Sequence, residues 1–533
     1  MKKVVSVLGL GLFALALGWV CFHYTDLPTL TAAVEDEDGF IFIMIKMKNA
    51  LVAHDLKGVF SYAFFTYGFL YFFINTLLTW PFMESAGVGL VVIPRLVSAA
   101  FAVGAVVCVY QAARRLCDRP VALAWTALLV SAPELWMVGT WFHPDFPMTF
   151  FVAMAMLALI LDQFQMGKKY WMAAALLGVA MGLKFQALLF VPVLILYGGW
   201  KIMNCEDRRR AIQKTGWVIV GGTALVGTIF LAMNPFLIHP QGLNAFIRFL
   251  IEVNLKSNAT NFGIVGEIPL MKRIELGVIR AFFAWPVILA VLALGASRII
   301  QLRNRVFADH SVYWVVALSG ASVLGYSLFT LNNMSPHYYI ACIVVIVMGI
   351  VPVVRGYAGN RIVMLLGLLI AVNIGLHHQE FASLLHRPKY DTYVNRWAES
   401  RGPLAATLRR NLHASDHILA SPKALIDFAA IPIPLNQVHR IAGPIELRMF
   451  EPEAQLAYFK NLKIPAPQFV PMVALVIDKS DPYFDSNKLA RLVERPKYEA
   501  GKQLIEGLRE GKWGYSIAYE DPTVIVFVHG MPQ

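Results

Sequence analysis

The chain has 533 residues, of which 58% are hydrophobic and only 15% are charged, and its formal net charge is +12. Because soluble domains carry roughly 25% charged residues, this composition excludes an ordinary soluble protein and indicates a polytopic membrane protein. The Lys and Arg residues lie mainly in short loops between apolar runs, which favours a role in membrane topology over nucleic-acid binding. The five cysteines form no CxxC pair, so neither a disulfide framework nor a zinc knuckle is predicted.

Apolar runs of about 20 residues, the length of a bilayer span, recur along the first 380 residues. The first run follows Lys2 and Lys3. It is interpreted as a retained helix, because it is long enough to span and no small-residue cleavage site follows it. Lys184 divides a later run into two short halves. The pattern predicts eleven spans, give or take one, near residues 4–22, 89–111, 120–139, 147–165, 171–183, 186–200, 217–238, 277–297, 311–331, 338–354 and 362–379.

The positive charges predict the orientation of these spans, since Lys and Arg are enriched in cytoplasmic loops. One set of alternate loops is basic, whereas the other holds an acidic run at residues 35–38 and Asp145. We therefore expect a protein of the bacterial inner membrane with a cytoplasmic N-terminus, and with the acidic run and the C-terminal tail on the periplasmic face. The basic loops contain Lys2, Lys3, Arg114, Arg115, Arg119, Lys168, Lys169, Lys201, Arg208, Arg209, Arg210, Lys214, Arg298, Arg303, Arg305, Arg355 and Arg361.

Residues 40–88 form the first outer loop and do not have the composition of a simple loop. Residues 40–48 are apolar with two lysines, and residues 62–80 are rich in aromatic side chains. Aromatic residues concentrate at the level of the lipid headgroups, where amphipathic helices can lie in the membrane plane. We therefore expect interfacial helices here. The alternative, an additional span at residues 60–80, would invert the rest of the topology, and the distribution of positive charge argues against it.

The composition changes near residue 380, where prolines, charges and short alternating runs replace the long apolar segments. This change predicts two domains, a transmembrane domain at residues 1–380 and a C-terminal α+β soluble domain at residues 381–533. In the second domain we expect a strand at residues 472–477, helices near 486–495 and 498–510, and a closing hairpin formed by residues 515–519 and 523–528.

Ionisable residues at membrane depth usually serve a function, and four groups of them lie at the predicted outer ends of spans. The acidic run at residues 35–38 could instead be a solvated loop that helps to set topology. Asp145, two residues before a proline, could be a helix N-cap. Lys184 could be a snorkelling lysine or a partner for a phosphate group. The tyrosines that follow His337 could be interfacial anchors, but anchoring does not explain the histidine itself.

Acids, a lysine and a His-Tyr pair on one membrane face suit the transfer of a sugar from a lipid phosphate. A carboxylate can take the proton from an acceptor hydroxyl as this attacks the anomeric carbon. Cations can stabilise the negative charge on the departing phosphate. The sequence contains no Gly-rich phosphate loop, and the outer face has no nucleotide pool, so we expect a lipid-borne donor.

Together these features resemble the GT-C superfamily of membrane glycosyltransferases, in particular its aminoarabinose-transferase and protein O-mannosyltransferase branch. The resemblance covers roughly residues 1–355 and lies in the order, spacing and sidedness of short motifs. Asp36-Glu37-Asp38-Gly39-Phe40 stands where the family has an Asp-Glu-x-x-Tyr-like motif, with Phe in place of Tyr. Segments similar to later family motifs are Arg95, Asp145-Phe-Pro-Met-Thr-Phe-Phe151, Gly182-Leu183-Lys184 and His337-Tyr338-Tyr339.

The resemblance implies a GT-C-like helical domain and assigns a role to each matching residue. The acidic motif would supply the catalytic carboxylate, and the run leaves open whether Asp36-Glu37 or Glu37-Asp38 is the working pair. Asp145 would assist by positioning the donor or the acceptor. The residues expected at the donor phosphate are Lys184, His337, Tyr338 and Tyr339.

The prediction is thus a hexosyl- or pentosyl-transferring enzyme that uses a polyprenyl-phosphate sugar and a lipid, protein or glycan acceptor. Its partners would include membrane lipids but no nucleic acid. We expect no metal or other cofactor, although the acidic run could hold a divalent cation. Two alternatives come from other classes. A secondary transporter or lipid-linked-glycan flippase requires acids at mid-membrane on broken helices, and a non-catalytic assembly factor would use the spans only as an anchor.

Overall fold

The described part of this computed structural model is mostly helical up to residue 411 and ends in a mixed β-sheet. It covers residues 2–23, 37–60, 67–83, 88–238, 240–251, 269–302, 310–330, 335–355, 357, 359–385, 388–421, 424, 426, 431–433, 437–440, 450–451, 453, 471–479 and 495–530. The helices are α1 (Lys2–Cys21), α2 (Glu37–Val52), α3 (Leu56–Phe60), α4 (Phe69–Thr79), α5 (Gly89–Arg114), α6 (Arg119–Val130), α7 (Pro133–Gly139), α8 (Asp145–Asp162), α9 (Lys168–Leu183), α10 (Val193–Met203), α11 (Arg208–Met233), α12 (Pro240–Ile251), α13 (Leu270–Ile274), α14 (Trp285–Leu302), α15 (Ser311–Thr330), α16 (Ile340–Gly349), α17 (Gly359–Leu376), α18 (His378–Leu385), α19 (Pro388–Asn411) and α20 (Arg495–Arg509).

Each predicted apolar run contains a helix, and the prediction of a polytopic helical membrane protein is confirmed. Six described helical segments are long and apolar enough to cross a membrane, and α6 with α7, bent by 70°, would make a seventh. Other predicted spans are shorter apolar helices, such as residues 336–349, so the number of eleven stays a prediction. The six segments are α5, α8, residues 185–203, α11, α15 and α17.

The described residues of the segment predicted as the first outer loop form three helices, α2, α3 and α4. The 11 residues of α4 extend about 16 Å at 1.5 Å per residue, roughly half of the hydrocarbon thickness. The length of α4 therefore argues against an additional span at residues 60–80. Several large apolar side chains of α4 are exposed, among them Leu77 and Leu78, which suits a helix lying at the level of the headgroups.

The helical run that Lys184 divides is broken at that residue. Helix α9 ends at Leu183, and Lys184 is extended, with φ −149° and ψ 122°. A 3-10 turn over residues 185–190 then leads into α10. Because Lys184 is extended, its side chain does not point where the next residue of a continuous α9 would point.

The C-terminal sheet has five strands in the order β2-β1-β3-β5-β4. They are β1 (His417–Ala420), β2 (Val438–Arg440), β3 (Met472–Asp478), β4 (Tyr515–Glu520) and β5 (Val524–His529). β1 pairs in parallel with both β2 and β3, whereas β5 is antiparallel to β3 and β4. The predicted strand at 472–477 and the closing hairpin are present. Helix α20 covers the helix predicted near 498–510, and almost all of the one predicted near 486–495 lies outside the described residues.

The C-terminal sheet and the first outer loop share one apolar core. Buried side chains of α2, such as Phe40 and Met44, belong to the same cluster as Trp397 of α19 and Val526 of β5. Helix α18 crosses the predicted domain boundary at residue 380. The tail is thus packed against α2 rather than connected to it only through the chain.

A pair of histidines lies on this sheet near α2. Nδ1 of His417 on β1 is 3.0 Å from Nε2 of His439 on β2. Burial, and then the positive charges of His417 and of Lys46 on α2, lower the pKa of His439 to about 4. Burial also lowers the pKa of His417, against the opposing effect of the neighbouring Asp416. Both histidines therefore favour the neutral form in the folded chain.

Stability is expected to fall as the pH drops below the ordinary histidine pKa towards 4. In this pH range the two histidines bind protons in the unfolded chain, whereas His439 stays neutral in the folded chain. A lower pH therefore favours unfolding. Thermal unfolding of the detergent-purified chain between pH 7.5 and 4.5 measures this effect. The variant His439→Gln should flatten the profile, whereas replacement of the exposed His413 by Gln should leave it unchanged. A wild-type slope in His439→Gln would contradict the assignment.

Candidate active site

A buried carboxylate stands at the start of α8. Asp145 follows Pro144, the N-cap residue, and is fully buried, with 0% of its surface exposed. Its Oδ1 lies 2.5 Å from Nζ of Lys184, and its Oδ2 lies 2.5 Å from Nδ1 of His143. The N-terminal end of a helix also favours a negative charge. Both oxygens of Asp145 are therefore engaged by neighbouring nitrogen atoms.

Lys184 brings its ammonium group into this buried cluster instead of extending it to the membrane surface. Only 3% of the residue is exposed. Besides Asp145, Nζ lies 4.7 Å from the ring centroid of Tyr338 and 5.6 Å from that of Tyr67. A desolvated cation gains most from such aromatic faces. The break at the end of α9 thus delivers a point charge between two tyrosine rings and a carboxylate.

Two imidazoles complete the cluster. The ring centroids of His143 and His337 are 5.2 Å apart, and both residues are buried. One ligand atom each from His143, Asp145 and His337 lies within 4.8 Å of the others, a spacing that could hold a metal ion. Nitrogen and carboxylate ligands of this kind suit zinc and related transition metals.

Glu37 forms a buried ion pair with Arg95 in the neighbouring layer. Nε and Nη2 of Arg95 donate to the two carboxylate oxygens of Glu37 at 2.9 and 2.7 Å. Each residue is 2% exposed. The backbone N–H of Phe142 donates to Oε1 of Glu37 at 2.7 Å. The first residue of α2 is thereby fastened to α5 and to the loop that carries His143 and Asp145.

The structure brings together some of the residues predicted for the site. Lys184, His337 and Tyr338 surround Asp145, whereas the ring of Tyr339 packs against Gly277. Glu37 is occupied by Arg95. Asp36 lies outside the described residues, and Asp38 is described only as part of the backbone of α2.

Sequence reasoning missed His143 and Tyr67 as members of the cluster. His143 had a local signal, because it stands two residues before Asp145 and directly before Pro144. Tyr67 had none. It reaches Lys184 through an isolated antiparallel bridge between segments more than 100 residues apart.

The described residues combine a helical membrane domain, a buried acid-and-base cluster and a C-terminal sheet, which is the GT-C-like architecture expected from the sequence. The resemblance proposed from the sequence is confirmed by comparisons with known proteins. The family model described as dolichyl-phosphate-mannose-protein mannosyltransferase matches residues 59–238. No curated protein matches the chain at the level of sequence.

Solved structures share this fold at low sequence identity. ArnT from Cupriavidus metallidurans in the apo state has a TM-score of 0.57 at 10% identity, with 100% of both chains covered. The same protein bound to undecaprenyl phosphate has a TM-score of 0.57 at 12% identity, with 99% of both chains covered. The oligosaccharyltransferase of Archaeoglobus fulgidus in complex with Zn and sulfate has a TM-score of 0.50 at 13% identity, with 91% of this chain and 70% of that chain covered.

Glu37→Gln is expected to destabilise the chain strongly, because it removes the carboxylate charge that pairs with the buried guanidinium of Arg95. Breaking one side of a buried pair costs about 3–5 kcal/mol. The matched control is Glu275→Gln, which breaks the exposed Glu275–Arg280 pair, worth about 1 kcal/mol or less. The melting temperature of the purified protein is the measurement. Equal decreases for the two variants would contradict a supporting role of the Glu37–Arg95 pair.

Proposed function

We propose that the protein is a glycosyltransferase that moves a sugar from a polyprenyl-phosphate donor to an acceptor hydroxyl at the periplasmic face of the inner membrane. The observation that carries this proposal is the buried ammonium of Lys184, held by Asp145 between Tyr67 and Tyr338. A structural lysine would gain more by reaching the aqueous interface. The undecaprenyl phosphate bound by ArnT, which shares the fold, is consistent with this class of donor.

The donor phosphate would bind beside Lys184. An ammonium has three N–H donors, and one of them is directed at Asp145, so two are left for phosphate oxygens. His337 and Tyr338 lie on the same side as further polar partners, since their rings are 4.4 Å apart and Tyr338 faces the ammonium. Tyr339 would act one layer behind them, through its packing on Gly277. A positive charge that is held in place in a buried site stabilises a leaving phosphate without any rearrangement of the surrounding groups during the reaction.

The acceptor proton would be taken by an acid next to Glu37 in the sequence. Both oxygens of Glu37 are held by Arg95, and both oxygens of Asp145 by Lys184 and His143. This leaves Asp36 and Asp38 from the predicted acidic motif. The acceptor oxygen forms a bond to the anomeric carbon, the bond from that carbon to the phosphate oxygen breaks, and the phosphate keeps the electron pair. The acceptor proton passes to the carboxylate.

We further propose that Lys184 serves as the resident cation and that transfer needs no bound metal. His143, Asp145 and His337 could hold an ion, but a divalent cation there would lie beside the ammonium that already contacts Asp145. In a buried site this repulsion is large. The fixed positive charge of Lys184 can neutralise the leaving phosphate, which in other sites is the role of a bound metal ion.

Lys184→Met is expected to abolish transfer, since the methionine keeps the side-chain length and removes the charge. Loss of one preorganised electrostatic partner lowers turnover by about 100- to 1,000-fold. The assay is transfer of a labelled sugar from a synthetic polyprenyl-phosphate donor to membrane acceptors by the purified full-length chain. Lys169→Met is the control, because Lys169 is exposed at the opposite end of α8 and α9. Full activity of Lys184→Met would reject the proposal.

In the same assay, Asp36→Asn and Asp38→Asn identify the base. One of the two variants should lose at least about 100-fold in turnover while keeping its donor affinity, because a general base contributes to the chemical step and not to ground-state binding. Both variants should keep the wild-type melting temperature. Wild-type turnover in both would show that the acidic motif does not supply the base.

Prolonged dialysis against EDTA should leave turnover unchanged. This follows if Lys184 supplies the cationic charge that a metal would supply at the leaving phosphate. Activity is compared before dialysis, after dialysis and after addition of Mg²⁺, Mn²⁺ or Zn²⁺. Loss of activity with EDTA and its recovery with one of these ions would contradict the metal-free reaction, without contradicting glycosyl transfer itself.

A further inference from the structure

We infer that Gly68 and Asn234 are positioning residues that hold Lys184 at the site, and this inference rests on the proposed function. Neither residue contacts the Asp145 cluster in the described contacts. Both act on the segment from Gly182 to Lys184, where α9 ends and the lysine leaves the helix. We call this arrangement of Gly68 and Asn234 around the segment the Lys184 clamp.

Gly68 permits a close approach of two backbones. Its N–H donates to the carbonyl of Leu183 at 2.8 Å, next to the bridge that joins Tyr67 and Lys184. A Cβ atom on Gly68 would lie 1.4 Å from the carbonyl oxygen of Gly182. No rotation of a side chain can relieve that overlap, because the atom belongs to the backbone. A larger residue at position 68 must therefore separate the two segments.

Asn234 joins three chain segments at the same point. Its Oδ1 accepts a hydrogen bond from the N–H of Phe69 at 3.2 Å, and its Nδ2 donates to the carbonyls of Phe230 and Gly182 at 2.9 and 3.5 Å. The residue is buried and is the C-cap of α11. It thereby ties the end of α11 to the segments that carry Tyr67 and Lys184.

The clamp sets where the ammonium lies. Lys184 is extended at the C-cap of α9, where its N–H still donates to the carbonyl of Ala180 at 3.0 Å. The bridge to Tyr67 fixes its backbone from the other side. The same bridge places the Tyr67 ring against Nζ. Since a displacement of about 1 Å in a catalytic group can cost about 100-fold in rate, residues that fix this backbone should matter to the donor phosphate.

The experiment compares two disrupting variants with two matched controls in the full-length chain in nanodiscs. Gly68→Ala forces the backbones apart, and Asn234→Leu removes the polar atoms at similar volume. Gly227→Ala adds a Cβ with no atom within 4 Å. Asn204→Leu removes an exposed asparagine whose side-chain hydrogen bond in the described part of the chain is a local one, to the carbonyl of Trp200. The measurement is the dissociation constant of undecaprenyl phosphate.

The two disrupting variants should weaken binding by about tenfold or more, and the controls by no more than about twofold. The variants are then combined with Lys184→Met. If the clamp acts through Lys184, adding Gly68→Ala to Lys184→Met should change the affinity by no more than about twofold. If Lys184→Met binds more weakly than the wild type, wild-type affinity of Gly68→Ala and Asn234→Leu would overturn the inference. The inference would also be overturned if Gly68→Ala weakened binding as much in the Lys184→Met background as in the wild type. In that case Gly68 would act independently of the Lys184 ammonium.

A second measurement tests the clamp without any ligand. In the double variant Tyr67→Cys, Lys184→Cys, the two bridge positions are close enough for a disulfide, detected by mass spectrometry. Gly68→Ala should abolish this disulfide, and Gly227→Ala should not. Equal cross-linking in both would overturn the clamp, whether or not the chain binds undecaprenyl phosphate. Wild-type binding by Lys184→Met together with loss of the cross-link in Gly68→Ala would instead refute the proposed phosphate role and leave the clamp in place.

Discussion

The ion pair between Glu37 and Arg95 is the contact on which the geometry of the candidate site depends. Removing a carboxylate and a guanidinium from water costs several kcal/mol per ion, and only complete hydrogen bonding offsets that cost. Here the carboxylate receives two N–H groups of Arg95 and the N–H of Phe142, while a further N–H of Arg95 donates to the carbonyl of His23 at 3.0 Å. The Glu37–Arg95 pair and its hydrogen bonds therefore connect the segment after α1, the start of α2, the first turns of α5 and the loop before α8.

The second buried pair, Asp145 with Lys184, has the opposite character. Its neighbours among the described residues are rings: His143, His337, Tyr67 and Tyr338. Aromatic rings stabilise an ammonium from one face and leave its other N–H groups free to turn. The rigid Glu37–Arg95 pair thus supports the loop, whereas the more adaptable Asp145–Lys184 pair lies at the proposed substrate site. This division explains why two acids of the same predicted site have different environments.

Much of the fold could be predicted from the sequence, because a bilayer imposes a length and a polarity that the residues must match. The apolar runs, the short helices of the first outer loop and the hairpin of β4 and β5 follow from that constraint and from strand alternation. The parallel pairs of β1 with β2 and β3 could not be predicted, since β1 and β2 have only four and three residues. Their partners are set by tertiary packing.

The site was predictable as a set of residue types but not as a set of roles. Four consecutive acids look alike in sequence, and only the position of Arg95 on α5 shows that Glu37 is held in a buried ion pair. Lys184 was visible as an isolated cation in an apolar run. Tyr67 and Asn234 were not visible as its neighbours, because their contacts with residues 182–184 join distant parts of the chain.

The shared core of α2 and the C-terminal sheet has a consequence for the order in which the molecule is completed during synthesis. Strand β5 is translated hundreds of residues after α2, yet it lies inside the sheet, between β3 and β4, and its alternate side chains belong to the same cluster as Phe40. Helix α2 is translated early but has no complete apolar cover until β5 has paired. The core at the end of the membrane domain that carries Glu37 is therefore completed only after β5 has been translated, hundreds of residues after the codons of α2 have been read.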